Sequence, residues 1–154
     1  MAAVRTVKIA VELDALGDTR PLWRDWLDDI ARVLDVAGLP DDRAAAAAEL
    51  DARGSGNWRT LLERFAEDRA PVYLRPAAEV SSTLRRLQAT GARVGVFTDA
   101  PAELARVALA QLGAARRVEL VEAGGGALAR LLEAFGADAL VVHTRTELVT
   151  LDSR

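Results

Sequence analysis

The stretch that decides the fold is Val7-Lys8-Ile9-Ala10-Val11-Glu12-Leu13-Asp14-Ala15-Leu16-Gly17-Asp18-Thr19. Apolar residues alternate along its first part with period two, which is typical of a β-strand. In a strand that runs through Leu13, Glu12 and Asp14 lie on the same side of the chain, at the carboxyl end. Ligands of open α/β sheets collect outside such ends, so the two carboxylates could hold a cation or attack an electrophile. The alternative is that they simply end the strand in solvent.

Composition narrows the class of protein. The 154 residues suit one domain, carry a net charge of −3 and include no cysteine, which excludes disulfides, zinc–thiolate sites and thiol catalysis. No basic patch favours nucleic acid or an anionic membrane as a partner. We expect a cytoplasmic protein, because the sequence has neither a signal-peptide core nor a run of about 18 apolar residues. Abundant alanine, and arginine in place of lysine except at Lys8, indicate a GC-rich bacterial genome.

Strand and helix patterns alternate along the rest of the chain. After Thr19 the apolar period changes to 3.6, and residues 20–72 predict three helices without a strand. An extended connection over residues 71–76 then leads to a fourth helix. The remaining segments predict strands at 93–97, 118–121 and 139–143, helices at 101–113 and 127–135, and a last edge strand at 148–151. Such alternation is typical of βαβ units and of a doubly wound parallel sheet.

With this order and spacing, the chain resembles the haloacid dehalogenase-like (HAD) hydrolase superfamily over nearly its full length. That family opens on a strand ending Asp-x-Asp-x-Thr, inserts a helical cap and ends a second strand in Ser or Thr. Val11-Glu12-Leu13-Asp14-Ala15 is similar to the first motif, with Glu12 at the position of the nucleophile. Gly95-Val96-Phe97-Thr98-Asp99-Ala100-Pro101 is similar to the second, which gives Thr98 the phosphate-binding role.

The resemblance implies an architecture. A Rossmann-type, three-layer α/β core with a parallel sheet would comprise residues 1–19 and 73–154, and a small helical cap would comprise residues 20–72. The first strand is expected at the centre of the sheet, between the strands that end at Thr98 and His143. The cap is expected above the carboxyl ends of these strands.

The resemblance also assigns chemistry, and several of the positions that carry it are altered. In the family the first Asp attacks phosphorus, the second acts as acid and base, a Lys holds the phosphate and a last acidic pair binds Mg²⁺. Glu12 is one methylene longer than Asp, and a misplacement of about 1 Å can cost on the order of a hundredfold in rate. Glu122 stands near the Lys position, so Arg116, Arg117 or Arg130 would have to supply the positive charge. Thr144 stands at the metal-binding Asp, and Glu147 is the nearby acid that remains.

Two interpretations of function follow. In the first, the protein is catalytically degenerate, needs no cofactor and binds a ligand or a protein partner, with Thr98 and Asp99 as ligand-binding groups. In the second, an active hydrolase, most simply a phosphatase, uses Glu12 and Asp14 in a rearranged site, and Mg²⁺ binds weakly to Glu12, Asp14 and Glu147.

Three further features of the sequence have two interpretations each. Gly124-Gly125-Gly126 predicts either a flexible loop or a phosphate cradle. His143 is the single histidine, and its role is either structural or functional. The tryptophans of the predicted cap indicate either its packed interior or a partner-binding patch, and they or the edge strand could form a homo-oligomer interface.

Overall fold

The sheet consists of four parallel strands, as seen in a computed structural model that describes residues 6–151. They are β1 (Lys8–Glu12), β2 (Arg93–Thr98), β3 (Leu120–Ala123) and β4 (Leu140–Val142), in the order β3-β2-β1-β4. β1 pairs with β2 on one side and with β4 on the other, and Val11 lies opposite both Val96 and Val142. The predicted central position of the first strand is therefore confirmed.

Eight α-helices surround the strands within residues 6–151: α1 (Leu13–Leu16), α2 (Arg20–Val33), α3 (Arg43–Ala52), α4 (Trp58–Tyr73), α5 (Ala78–Ala89), α6 (Ala102–Gln111), α7 (Ala127–Phe135) and α8 (Arg145–Leu151). A 3₁₀ turn, Ala115–Arg117, follows α6. None of the helices in this part of the chain is both long and apolar enough to cross a membrane.

The two faces of the sheet belong to different hydrophobic clusters, because successive side chains of a strand point to opposite sides. Ile9 and Val11 of β1 pack with residues of α1, α5, α6 and α8. Ala10 and Phe97 point the other way, against α7. The result is the predicted α/β fold with a parallel, Rossmann-like sheet between two helical layers.

Helices α2, α3 and α4, here called the helical block, have an interior of their own. Trp26 lies at its centre, with its ring centroid 5.1 Å from that of Trp23 and 5.9 Å from that of Trp58. The same cluster includes Ala100 and Leu104, from the turn after β2 and from α6. The block is thus joined to α6 by shared apolar packing, while its assignment as a separate cap domain, residues 20–72, stays a prediction.

The predicted extended connection over residues 71–76 is wrong in its first half, because α4 continues to Tyr73. Pro71 has no N–H to donate, but it lies in the last turn, where it removes only one hydrogen bond of the helix. The bond that closes the helix still forms, since the Leu74 N–H donates to the Ala70 carbonyl at 2.7 Å.

The predicted edge strand at 148–151 is also wrong, since these residues belong to α8. The Thr144 hydroxyl accepts the Glu147 N–H at 3.1 Å and donates to the Glu147 carboxylate at 3.1 Å. The first of these bonds is the N-cap half of a capping box, which favours the start of a helix. A short apolar run cannot by itself distinguish a strand from a buried helix face, and here Leu148 is fully buried.

Candidate functional site

The carboxyl ends of β1, β2 and β4 open onto a pocket of about 840 Å³ between the sheet and the helical block. Charged and polar side chains form most of its lining: Glu12, Asp14, Arg20, Arg24, Asp41, Arg43, Asp99, His143, Thr144 and Arg145. Two apolar side chains of α2, Trp23 and Leu27, complete it. The predicted residues Glu12, Asp14 and Asp99 therefore share one pocket.

Glu12 is the last residue of β1 and contacts the histidine that follows β4. Its Oε2 lies 3.0 Å from His143 Nδ1, and the two side chains are 32% and 53% exposed. Phe97 packs against the imidazole edge to face, with ring centroids 5.7 Å apart. The neighbouring ends of two parallel strands thus hold an oriented, partly exposed imidazole in the pocket.

Asp14 lies in a helical turn and not in the strand, because β1 ends at Glu12 and α1 begins at Leu13. The alternation that was expected to align Glu12 with Asp14 is therefore absent, although both line the pocket. Asp14 Oδ1 accepts the Thr19 N–H at 2.9 Å and the Thr19 hydroxyl at 2.6 Å. Only 12% of the Asp14 side chain is exposed.

Arg43, which the sequence analysis did not identify, is the buried cation of the site. Its Nη2 donates to Asp14 Oδ2 at 2.9 Å and its Nε to Asp99 Oδ1 at 2.8 Å. Nη1 donates at 2.6 Å to the hydroxyl of Thr19, which itself donates to Asp14. With 6% of the Arg43 side chain exposed, this guanidinium links the helical block to the ends of β1 and β2.

One signal in the sequence could have identified Arg43. It is the first residue of α3, directly after Asp42, whose side chain caps the helix by accepting the Ala45 N–H at 2.8 Å. A cation at a helix N-terminus opposes the positive end of the helix dipole. Its presence in an otherwise alanine-rich stretch therefore indicates a partner outside the helix, and that partner is the pair Asp14 and Asp99.

Thr98, the expected phosphate-binding residue, ends β2 and is 1% exposed. Its hydroxyl accepts the Ala100 N–H at 3.1 Å within the same turn. Thr98 lines a neighbouring groove with the triple glycine, and Asp99 lines both that groove and the main pocket. Of the two residues, Asp99 is the one that reaches the buried arginine.

Glu147 lies apart from the other predicted metal ligands. It lines a shallow groove beside β4 with residues such as Val142 and Thr150. Within residues 6–151, no three histidine or acidic side chains form a group that could hold a metal ion. The structure thus does not bring Glu147 together with Glu12 and Asp14.

The donor set at the ends of β1 and β2 does not fit the Mg²⁺ that the family resemblance implies. Mg²⁺ prefers a near-octahedral array of oxygen ligands. Of the predicted ligands, Asp14 accepts a hydrogen bond from the guanidinium of Arg43, as does the neighbouring Asp99. The Asp14 and Asp99 carboxylates are therefore already paired with a cation of the protein itself.

Arg130 does not enter the pocket. It donates to Glu122 Oε1 at 2.8 Å and to the carbonyls of Ala123, at 2.6 Å, and Gly125. The triple glycine is therefore tied to α7 by an arginine that also neutralises Glu122. Arg117 donates to Gln88 at 2.6 Å, away from the site.

A bidentate pair lies at the edge of the pocket, where Arg20 donates to both oxygens of Asp18 at 2.8 and 3.1 Å. This pairing lowers the pKa of the Asp18 carboxyl below its ordinary 3.8. Because the folded pKa is the lower one, the pair stabilises the fold above pH 3.8, and this stability is lost as the pH falls through the folded pKa.

Comparison with known proteins adds no relative: the chain matches no protein-family model and no curated protein sequence. The resemblance to the HAD superfamily therefore stays a prediction from the motifs of the sequence.

Proposed function

We propose that this chain is a HAD-like protein that binds a ligand in the pocket at the ends of β1 and β2 and does not catalyse phosphoryl transfer. One observation carries the proposal: the guanidinium of Arg43, 6% exposed, bonds both Asp14 and Asp99.

The first argument concerns the free energy of the buried ion pair. Removing one partner of such a pair typically costs about 3–5 kcal/mol, because the other charge is left buried and unpaired. Asp14 also accepts two hydrogen bonds from Thr19. A carboxylate held in this way is poorly placed to shuttle a proton or to exchange its arginine for a metal ion.

The second argument concerns the missing positive charge at β3. The residue near the family's Lys position, Glu122, is paired with Arg130, whose guanidinium also holds the glycine loop. Preorganised donors at a transition state are worth about 2.7–4 kcal/mol each in measured cases. Losses within one site do not add simply, but the loss of both the Lys and the metal ligand disfavours turnover strongly.

The test is hydrolysis of p-nitrophenyl phosphate and of a panel of sugar and nucleotide phosphates with Mg²⁺. We expect no turnover above buffer. The variant Glu12→Asp with Glu122→Lys and Thr144→Asp should also remain inactive while Arg43 is in place. Hydrolysis by the unmodified protein that Asp14→Asn abolishes, while Asp28→Asn on the exposed side of α2 does not, would overturn the proposal.

A second candidate function rests on the contact between Glu12 and His143. With the imidazole proton on Nδ1, donated to Glu12, Nε2 is a free base in the pocket. In a metal-independent phosphatase, water attacks phosphorus as the P–O bond to the alcohol breaks. The proton of the water passes to Nε2 and then to the leaving alkoxide.

The two candidates predict different results in the same assay. For the second, phosphate-ester hydrolysis without Mg²⁺ is expected, and both His143→Gln and Glu12→Gln should abolish it. Glu133→Gln, an exposed carboxylate of α7 outside the pocket, is the matched control. Absence of metal-free turnover eliminates the second candidate and leaves the first.

A further inference from the structure

We infer that the ligand of this pocket is a small organic anion, bound by Arg24 and Arg145 and covered on one side by Trp23 and Leu27. The inference deepens the proposed function, since it names the ligand class of the same pocket.

Arg24 brings to the pocket a charge that has no partner in the described part of the chain. It is an exposed residue of α2 that lines the pocket, and it has no hydrogen bond or ion pair with any residue between 6 and 151. The other two arginines on this side are committed, because Arg43 bonds two carboxylates and Arg20 holds Asp18 in a bidentate pair. Arg24 is thus available to a ligand.

Arg145 offers a second charge from a different part of the fold. It follows β4, and its single described contact is a long hydrogen bond of 3.5 Å to the carbonyl of Leu16. No carboxylate within residues 6–151 pairs with it. As the first residue of α8 it also opposes the helix dipole, so its placement does not serve the stability of that helix.

Two arginines suit an anion better than other ligands. Guanidinium groups form bidentate, charge-assisted hydrogen bonds with carboxylates and phosphates. Arg24 comes from the helical block and Arg145 from the end of the chain beyond β4, and both line the same pocket. An anion held by both would connect the helical block to the sheet.

Three of the four carboxylates that line the pocket already have a partner. Asp14 and Asp99 accept hydrogen bonds from Arg43, and Glu12 contacts His143. Asp41 is the remaining acid of the lining that has no partner within residues 6–151. Arg24 and Arg145 are thus the arginines of the lining without a carboxylate partner among residues 6–151, and Asp41 is the acid without a cation.

Trp23 and Leu27 form an apolar wall of the pocket, which suits a ligand with an apolar part. Both lie on α2 beside Arg24 and line the pocket, where Leu27 is partly exposed. The Trp23 indole Nε1 is buried without an acceptor in the described chain. The volume of about 840 Å³ is in the usual range for pockets that hold small organic molecules.

The experiment measures binding by titration calorimetry with benzoate and phenyl phosphate, and with benzylamine as a cation of similar shape. We expect the anions to bind and benzylamine not to bind. Arg24→Gln and Arg145→Gln should each weaken anion binding about tenfold or more. Arg64→Gln is the matched control, since Arg64 is an exposed residue of α4 outside the pocket lining, without a partner within residues 6–151.

Three results would overturn the inference: binding of benzylamine alone, anion binding that neither pocket variant weakens, or no binding of either anion up to about 10 mM. Hydrolysis of phenyl phosphate is followed in the same samples. Turnover together with arginine-dependent binding would contradict the proposed function but support the anion site. No turnover and no anion binding would contradict the anion site but agree with the proposed absence of catalysis.

Discussion

Arg43 is the residue on which the site depends. Its guanidinium donates to Asp14, Asp99 and Thr19 at once, and only 6% of the Arg43 side chain is exposed. Buried charges are tolerated when they are paired and hydrogen-bonded. The fork geometry of arginine, with five donors, allows one side chain to meet all three acceptors.

We therefore predict that Arg43→Ala lowers the free energy of unfolding by about 3–5 kcal/mol, measured by urea denaturation, because Asp14 is left as an unpaired buried charge. Arg64→Ala, the exposed control on α4, should change it by no more than about 0.5 kcal/mol.

A double-mutant cycle identifies the cause of that loss. Once Asp14→Ala has removed the buried charge, Arg43→Ala should cost distinctly less than it does in the unmodified protein. Equal costs in the two backgrounds would show that Arg43 stabilises the protein through packing and not through the ion pair.

At the scale of elements, the contact of α7 with β2 depends on a glycine. A Cβ at Gly95 would lie 2.7 Å from Leu131 Cδ1 and 3.0 Å from Phe135 Cε2. Both neighbours are buried on α7, so neither can move aside without disturbing the cluster. This close approach holds α7 against the sheet and places its N-terminal glycine loop beside Thr98.

We predict that Gly95→Ala destabilises the protein by about 1–3 kcal/mol, the usual cost of overpacking a core. This exceeds the gain of about 0.5–1 kcal/mol expected when Ala replaces Gly within a strand. Urea or thermal denaturation measures the difference.

Gly125→Ala is the matched control, because its Cβ would meet only Ala44 Cβ, at an ordinary 3.7 Å. It should leave stability unchanged or slightly higher. A Gly95→Ala protein as stable as Gly125→Ala would mean that α7 can shift away from β2 at no cost.

For the whole molecule, the ion pair of Arg43 and the apolar cluster with Leu104 hold the helical block over the ends of the strands. Because this arrangement uses the carboxylates that a metal would need, we predict a Mg²⁺ dissociation constant no tighter than about 1 mM. At 1 mM Mg²⁺ the stability gained by linkage is then at most about 0.4 kcal/mol.

Thermal denaturation with and without 1 mM MgCl₂, against KCl of equal ionic strength, measures this gain. A micromolar affinity in titration calorimetry would show that Mg²⁺ displaces Arg43, and would favour a metal-dependent phosphatase over the binding function.

The sequence by itself determined the α/β class, the central place of β1 and most helices. These follow from local causes: period-two alternation in Val7 to Val11, the Asp42 cap before α3 and the glycine after α7. It also placed Glu12, Asp14, Thr98 and Asp99 near the carboxyl ends of the strands, because parallel strands end at one edge of a sheet. Glu12, Asp14 and Asp99 line the main pocket, whereas Thr98 and the predicted metal ligand Glu147 line other grooves. Short segments were the exception, since the run 148–151 carries too few residues to separate strand from helix.

Only the tertiary structure decided what those carboxylates contact. Arg43 lies 29 residues from Asp14 and 56 from Asp99 along the chain, and no local pattern joins them. Their pairing arises because the helical block packs on α6 and so brings the start of α3 over the ends of β1 and β2. Likewise Arg130 bonds Glu122 and the glycine loop, whereas Arg24 and Arg145 line the pocket without a carboxylate partner among residues 6–151. Long-range packing decides which charged side chains form ion pairs, and the periodicity of the sequence does not predict these pairs.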